Sequence, residues 1–186
     1  LTLVPTAPVS RDYPSAEKSS WKASLSYEPS RNMTLYTTVS TGYRTPVYNV
    51  RAGSVSTVNP TDLVIPPGAS SDDLTNYEAG IKGTWLDGKL TANLAAYYID
   101  WSNLQVQANR VSDSVQFATN IGQAVSKGLE AEVTLRPARG LTLGLNAALN
   151  DAKVTKLSTQ EAQISGAVDG SRLASPHLQG SFFGTY

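Results

Sequence analysis

Apolar and polar positions alternate along most of the chain from Trp21 onward. Trp21, Ala23, Leu25 and Tyr27 are interleaved with Lys22, Ser24 and Ser26. Met33, Leu35, Thr37, Val39, Thr41 and Tyr43 then alternate with Thr34, Tyr36, Thr38, Ser40 and Gly42. A period of two places successive side chains on opposite faces, so each run predicts a strand whose two faces differ. The same alternation returns at Tyr77–Trp85, at Leu90 to about Val106, around Leu129–Leu135, at Leu141–Leu149 and at His177–Tyr186. In the last run Leu178, Phe182 and Tyr186 share a face. This predicts seven antiparallel strands in up-and-down order, with no helical period of weight.

The connections fall into two kinds. "EPSRN" (Glu28–Asn32), "LDGK" (Leu86–Lys89) and "PARG" (Pro137–Gly140) are tight, and Asp-Gly is a strong hairpin signal. At the other end lie a Pro-rich stretch over residues 45–74, a short link at Asn109–Ser114 and a polar loop over 156–176. A connection as long as the first is usually functional or disordered. Residues 1–19 carry Pro5, Pro8 and Pro14 and read as a loop-like lead.

The strands are long. A strand that crosses a membrane needs about 9–11 residues, and Met33–Tyr43, Tyr77–Trp85 and Leu141–Leu149 all come close. Ten residues from Met33 to Tyr43, tilted by about 40°, rise about 25 Å, the height of a lipid-facing band. Aromatics are sorted to the ends of the apolar face. Tyr27, Trp85 and Tyr186 stand at the tight-turn end, and Trp21, Tyr43, Tyr77 and Tyr98 at the other. That is the pattern of two membrane girdles. The opposite face carries Glu78, Lys82, Glu130, Glu132 and Arg136 among Thr, Ser, Asn and Gly, as a polar lumen would. A passive porin-like barrel and a soluble β-sandwich binding module are the alternatives.

Composition agrees with a weakly charged, lumen-forming chain. Charged residues are 16% of 186, with 15 basic and 15 acidic, so no surplus points to nucleic acid. The absence of cysteine excludes disulfides and thiolate chemistry. No run of about 18 apolar residues offers a transmembrane helix.

Three strings together resemble TonB-dependent outer-membrane receptors. They are "LYTTVSTGYRTPVYN" (Leu35–Asn49), "LTNYEAGIKGTWLDGKLTANLAAYYIDWSNLQVQ" (Leu74–Gln107) and "NIGQAVSKGLEAEVTLRPARGLTLGLNAALNDAKV" (Asn120–Val154). The first carries a Gly-aromatic-Arg end, the second Asn-Tyr-Glu-x-Gly-x-Lys, the third Gly-x-Glu-x-Glu. The resemblance implies a 22-stranded barrel in the bacterial outer membrane, plugged by an N-terminal domain. It would import a scarce ligand, most often a ferric siderophore, on energy drawn through TonB. No plug and no TonB box are visible, so the chain is expected to be a partial barrel from the C-terminal half. Its expected partners are outer-membrane lipid, the plug and remaining strands, the TonB complex and an iron-chelate ligand.

No catalytic constellation, cofactor motif or metal-ligand spacing emerges, and the chain is not expected to be an enzyme. His177, the only histidine, has no evident Asp or Ser partner for catalysis. Glu130 and Glu132 share a face and are expected to meet a basic partner inside the barrel. Arg44, Tyr48 and Arg51 flank the long loop, and cations beside aromatics suit an anionic, ring-bearing ligand. "NMT" (Asn32–Thr34) lies in a tight turn and carries no meaning as a glycosylation site in a bacterial envelope.

Overall fold

The computed structural model describes residues 17–186. The expected lead therefore falls, for residues 1–16, outside the described residues. The elements in chain order are β1 (Lys22–Ser30), β2 (Met33–Arg44), β3 (Val47–Tyr48), β4 (Gly68–Ala69), β5 (Asp72–Trp85), β6 (Leu90–Asn109), β7 (Gln116–Ala138), β8 (Leu141–Lys156), α1 (Thr159–Ser165) and β9 (Leu178–Thr185). Seven strands form one sheet in the order β1-β2-β5-β6-β7-β8-β9, and β3 pairs only with β4. Every neighbouring pair is antiparallel.

Register confirms the alternation. Leu35 stands opposite Ile81, Ile81 opposite Leu94, Leu94 opposite Ala131 and Ala131 opposite Ala147. Directly opposed residues share a face, so this row is apolar across five strands. The row also climbs. Leu35 is two residues from the turn end of β2, Leu94 four from the start of β6, and Ala147 six from the start of β8. Such a stagger is what tilted strands in a barrel wall require.

The turns do what their residues dictate. The Lys89 N–H donates to the Leu86 carbonyl at 3.1 Å, with Asp87 and Gly88 between them at φ 55° and 85°. Two central residues at positive φ make a type I′ turn, whose twist matches that of the flanking strands.

No second sheet of comparable size covers the first among the described residues. Leu25, Leu129 and Phe182 of the apolar face are 71%, 56% and 70% exposed, which excludes a sandwich and fits a wall facing lipid. The buried core lies elsewhere. β6 and β7 have 20 and 23 residues, about twice what a membrane crossing needs. Their upper halves stand beyond the band, and the long connections fold onto them. One cluster joins Ile65, Ala108 and Phe117 with Leu63, Val115 and Ile164. A second joins Leu104, Ile121 and Ala124 with Trp101, Val106, Leu157 and Leu173.

The second cluster records a change of face. Trp101 and Ala124 are opposed and belong to the inward parity, whereas Leu104 and Ile121 belong to the other. All four pack together because Asn103, at φ 56°, adopts the left-handed conformation between them. Asparagine tolerates that conformation better than most residues.

Two expectations need correction. The polar loop contains a helix, α1, with a complete capping box: Ser158 accepts from the Glu161 N–H, and Glu161 accepts from the Ser158 N–H. "STQE" carried that signal, but seven residues are too few to show a period. The strands also begin earlier at the long-loop end, β5 at Asp72 and β7 at Gln116.

Candidate functional site

The inner face of the wall is polar and centred on Tyr36. Its hydroxyl donates to the Glu78 carboxylate at 2.8 Å, and the Lys82 ammonium lies 4.9 Å from its ring centre. Gly80 stands directly opposite Tyr36, and a Cβ there would come within 2.5 Å of the ring. The glycine therefore lets the ring lie flat on the wall. Tyr97 over Gly128 and Phe183 over Gly144 repeat the device in the pairs β6–β7 and β8–β9. Tyr36, Glu78 and Lys82, together with Glu130, Glu132, Asn93, Asn146 and Gln179, border a concavity of about 550 Å³. Glu130 and Glu132 are exposed and make no ion pair among the described residues. Arg136 is exposed at the bulge beside the last tight turn, where its N–H donates to the Lys89 carbonyl.

The outer face carries the aromatics at its rims. Tyr77 and Tyr98 are directly opposed, with ring centres 6.5 Å apart. Trp21 lies beside Thr41, near the upper end of β2, as does Tyr43. Tyr27 is near the turn of β1, and the Trp85 ring covers Gly83 at the turn of β5. Tyr186 follows β9 and is 97% exposed. On the lipid side the Thr37 hydroxyl donates back to the Glu78 carbonyl at 3.1 Å, as an environment without water demands.

Above the band the loop over residues 45–71 is folded, not structureless. Asn49 acts as a piece of strand: its Oδ1 accepts from the Ala118 N–H at 2.7 Å and its Nδ2 donates to the Ala118 carbonyl at 2.8 Å. Arg110, 3% exposed, donates to the Ser54 and Leu63 carbonyls and to the Asp113 carboxylate. Asp62 accepts from the Ser112 N–H. Asn103, Gln105 and Asn120 grip the backbone of Ser70 and Ser71. Apart from Arg110 with Asp113, none of these partners is near its mate in sequence.

Of the ligand candidates, Arg44 is already engaged. Its Nε donates to Asp72 at 2.8 Å, its Nη2 to Asp72 and to the Gln105 carbonyl, and its guanidinium lies 4.7 Å from the Trp101 ring centre. Asp72 is 1% exposed, while the Arg44 side chain keeps 45% of its surface. Tyr48 and Arg51 lie together on a groove of about 490 Å³ whose other wall is the upper part of β6 and β7, Gln107 and Gln116–Ala118. Tyr48 belongs to the small β3–β4 sheet and is 40% exposed; Arg51 is exposed.

Acidity should loosen this cap. The Asp113 carboxyl is held below its ordinary value of 3.8 mainly by hydrogen bonds from Arg110, against the opposing effect of burial. Asp62 is held low by its hydrogen bonds to Ser112 and Leu63. Glu161, bonded to Ser158 and to the Gly122 N–H, is likewise below 4.5. The opened cap then binds more protons than the closed one between the lowered and ordinary values, so closure weakens as pH falls. Hydrogen exchange of residues 45–71 should be flat from about pH 8 to 5 after correction for intrinsic rates. It should accelerate below about pH 4. Unchanged protection at pH 3 would contradict this account.

The fold and site together define a segment of a membrane-spanning β-barrel wall, polar inside, with a folded cap on its outer side. The family model described as "TonB dependent receptor-like, beta-barrel" matches residues 4–186. The chain belongs to that family of bacterial outer-membrane proteins, whose members transport and do not catalyse. Among solved structures it resembles the ferric yersiniabactin uptake receptor FyuA from Yersinia pestis. The TM-score is 0.63 at 20% identity, over 87% of this chain and 22% of that one. It also resembles the pyoverdine receptor FpvA from Pseudomonas aeruginosa, with a TM-score of 0.57 at 19% identity over 88% and 21%. The iron transporter FrpB from Neisseria meningitidis gives 0.57 at 18% over 76% and 21%. The chain thus spans about a fifth of the length of the solved receptors it matches.

Proposed function

We propose that the receptor containing this chain binds a ferric siderophore at its outer surface and imports it actively. The single observation that carries this reading is the groove between the folded loop and β7, with Tyr48 and Arg51 on one wall. A cation beside an aromatic ring suits a large, anionic, ring-bearing chelate. The ferric yersiniabactin and pyoverdine receptors among the structural neighbours add support for the fold that would carry it. Arg44, tied to Asp72 and Trp101, contributes its charge from the floor of the cap. The inner-wall carboxylates Glu78, Glu130 and Glu132 would receive a basic surface of the plug, and TonB would act on that plug from below.

The test uses the full-length receptor in detergent. Quenching of intrinsic fluorescence by a panel of ferric siderophores should reveal one tight binder. Arg51→Ala should weaken it about tenfold, the worth of one charge-assisted contact. Binding of haem, cobalamin or an oligosaccharide, with no ferric chelate bound, would replace the siderophore. Steady ion conductance with no ligand bound would instead favour the passive barrel.

A further inference from the structure

The outward face of the wall changes character at the level of the upper girdle on β7 and β8. Leu129, Leu149 and Leu178 stand opposite one another in one apolar row, with Ala96 of β6 at its end. Two residues higher, Tyr98, Lys127 and Asp151 form the next row. Two residues higher again, Lys153 faces Val125 on one side and Arg172 on the other. Hydrogen bonds from the Val154 N–H to the Ser171 carbonyl and from the Leu173 N–H to the Ala152 carbonyl hold Arg172 in that register.

Three cations thus stand around one carboxylate, and two of them pair with it. Asp151 accepts from Lys153 at 2.8 Å and lies 3.5 Å from an Arg172 nitrogen. Lys127 makes no ion pair among the described residues and is exposed. The side chains of Lys153 and Arg172 keep 43% and 53% of their surface. Asp100 has the same parity, but it stands on β6 opposite Val125 and pairs with none of the three. The excess of positive charge is therefore local, and it faces away from the lumen.

We propose that Lys127, Lys153 and Arg172 form a binding site for the phosphate groups of a phosphorylated lipid headgroup in the outer leaflet. Position commits the site to lipid and not to a soluble anion. The leucine row continues from it without interruption, so acyl chains lying on Leu129, Leu149 and Leu178 would bring their headgroup to the level of the three cations. The site is independent of the ligand that the receptor imports. It lies on the opposite face from the lumen and away from Tyr48 and Arg51.

The test measures retention of lipid by the purified full-length receptor, using native mass spectrometry after addition of bis-phosphorylated lipid A. The triple variant Lys127→Gln, Lys153→Gln, Arg172→Gln should retain at least about tenfold less, since each cation near an anionic surface is worth about fivefold. Lys127→Gln alone breaks no ion pair and should cost about fivefold, which keeps the test intact if the triple variant does not fold. Heat-modifiable gel mobility reports that folding. Asp151→Asn removes the competing carboxylate and should raise retention. Dephosphorylated lipid A should be held no better by the unaltered receptor than by the variants. Equal retention of the bis-phosphorylated lipid by Lys127→Gln and the parent would overturn the proposal. So would equal retention of the dephosphorylated lipid by the parent. Displacement by millimolar inorganic phosphate would overturn the commitment to lipid.

Discussion

Replacing Leu94 with arginine should destabilise the full receptor in bilayers by about 2–4 kcal/mol, while Asp100→Arg costs little. Leu94 sits in the row Leu35–Ile81–Leu94–Ala131–Ala147, four residues from the lower turn, and its side is 44% exposed with no protein over it. A guanidinium there must be desolvated by acyl chains or reach for a distant interface. Asp100 has the same parity but stands beyond Tyr98, where water and headgroups are available. A guanidine-driven unfolding titration in lipid vesicles measures both. Equal costs would mean that the band has been placed at the wrong height.

Phe117→Ala should have an effect of similar size confined to the cap. Phe117 is 2% exposed and joins Ile65 from the long loop to Ile164 from α1. Truncating a buried phenylalanine costs about 3–5 kcal/mol. The membrane wall does not depend on that cluster, so the loss should appear as local opening. Hydrogen exchange in nanodiscs should show faster uptake over residues 45–71 and 157–165, with β2 and the lower half of β6 unchanged. Uniform loss of protection across the wall would refute the independence of cap and wall.

These two sites also mark what alternation could and could not reveal. Leu94 was legible because the wall is specified locally: period two gives the face, and residue number gives the height. "LDGK" was legible because Asp-Gly prefers positive φ wherever it occurs. The cap was not legible, because its order comes from distant polar links. Asn49 with Ala118, Arg110 with Ser54 and Leu63, and Asp72 with Arg44 are each separated by tens of residues. A single sequence holds no periodic trace of such pairs. Arg44 drew attention as a cation near an aromatic. Its buried partner Asp72 carried no signal, although that partner decides how much of its charge a ligand meets. α1 is the intermediate case, since its capping box was written in four consecutive residues and its length hid the rest.

Asn103 has an effect comparable to a shift of reading frame. Below it, odd positions of β6 look into the barrel; above it, even positions do, and β7 changes with it. One strand pair can therefore be translated twice, once for lipid outside and once for a protein cap inside, with no shift in its register. A one-residue deletion in β6 below Asn103 would put the lipid-facing residues out of phase while leaving the cap readable. A deletion above it would do the reverse. Shuffling segments between related barrels should then succeed when the junction lies at this residue and fail when it lies a single position away from the phase that each half requires.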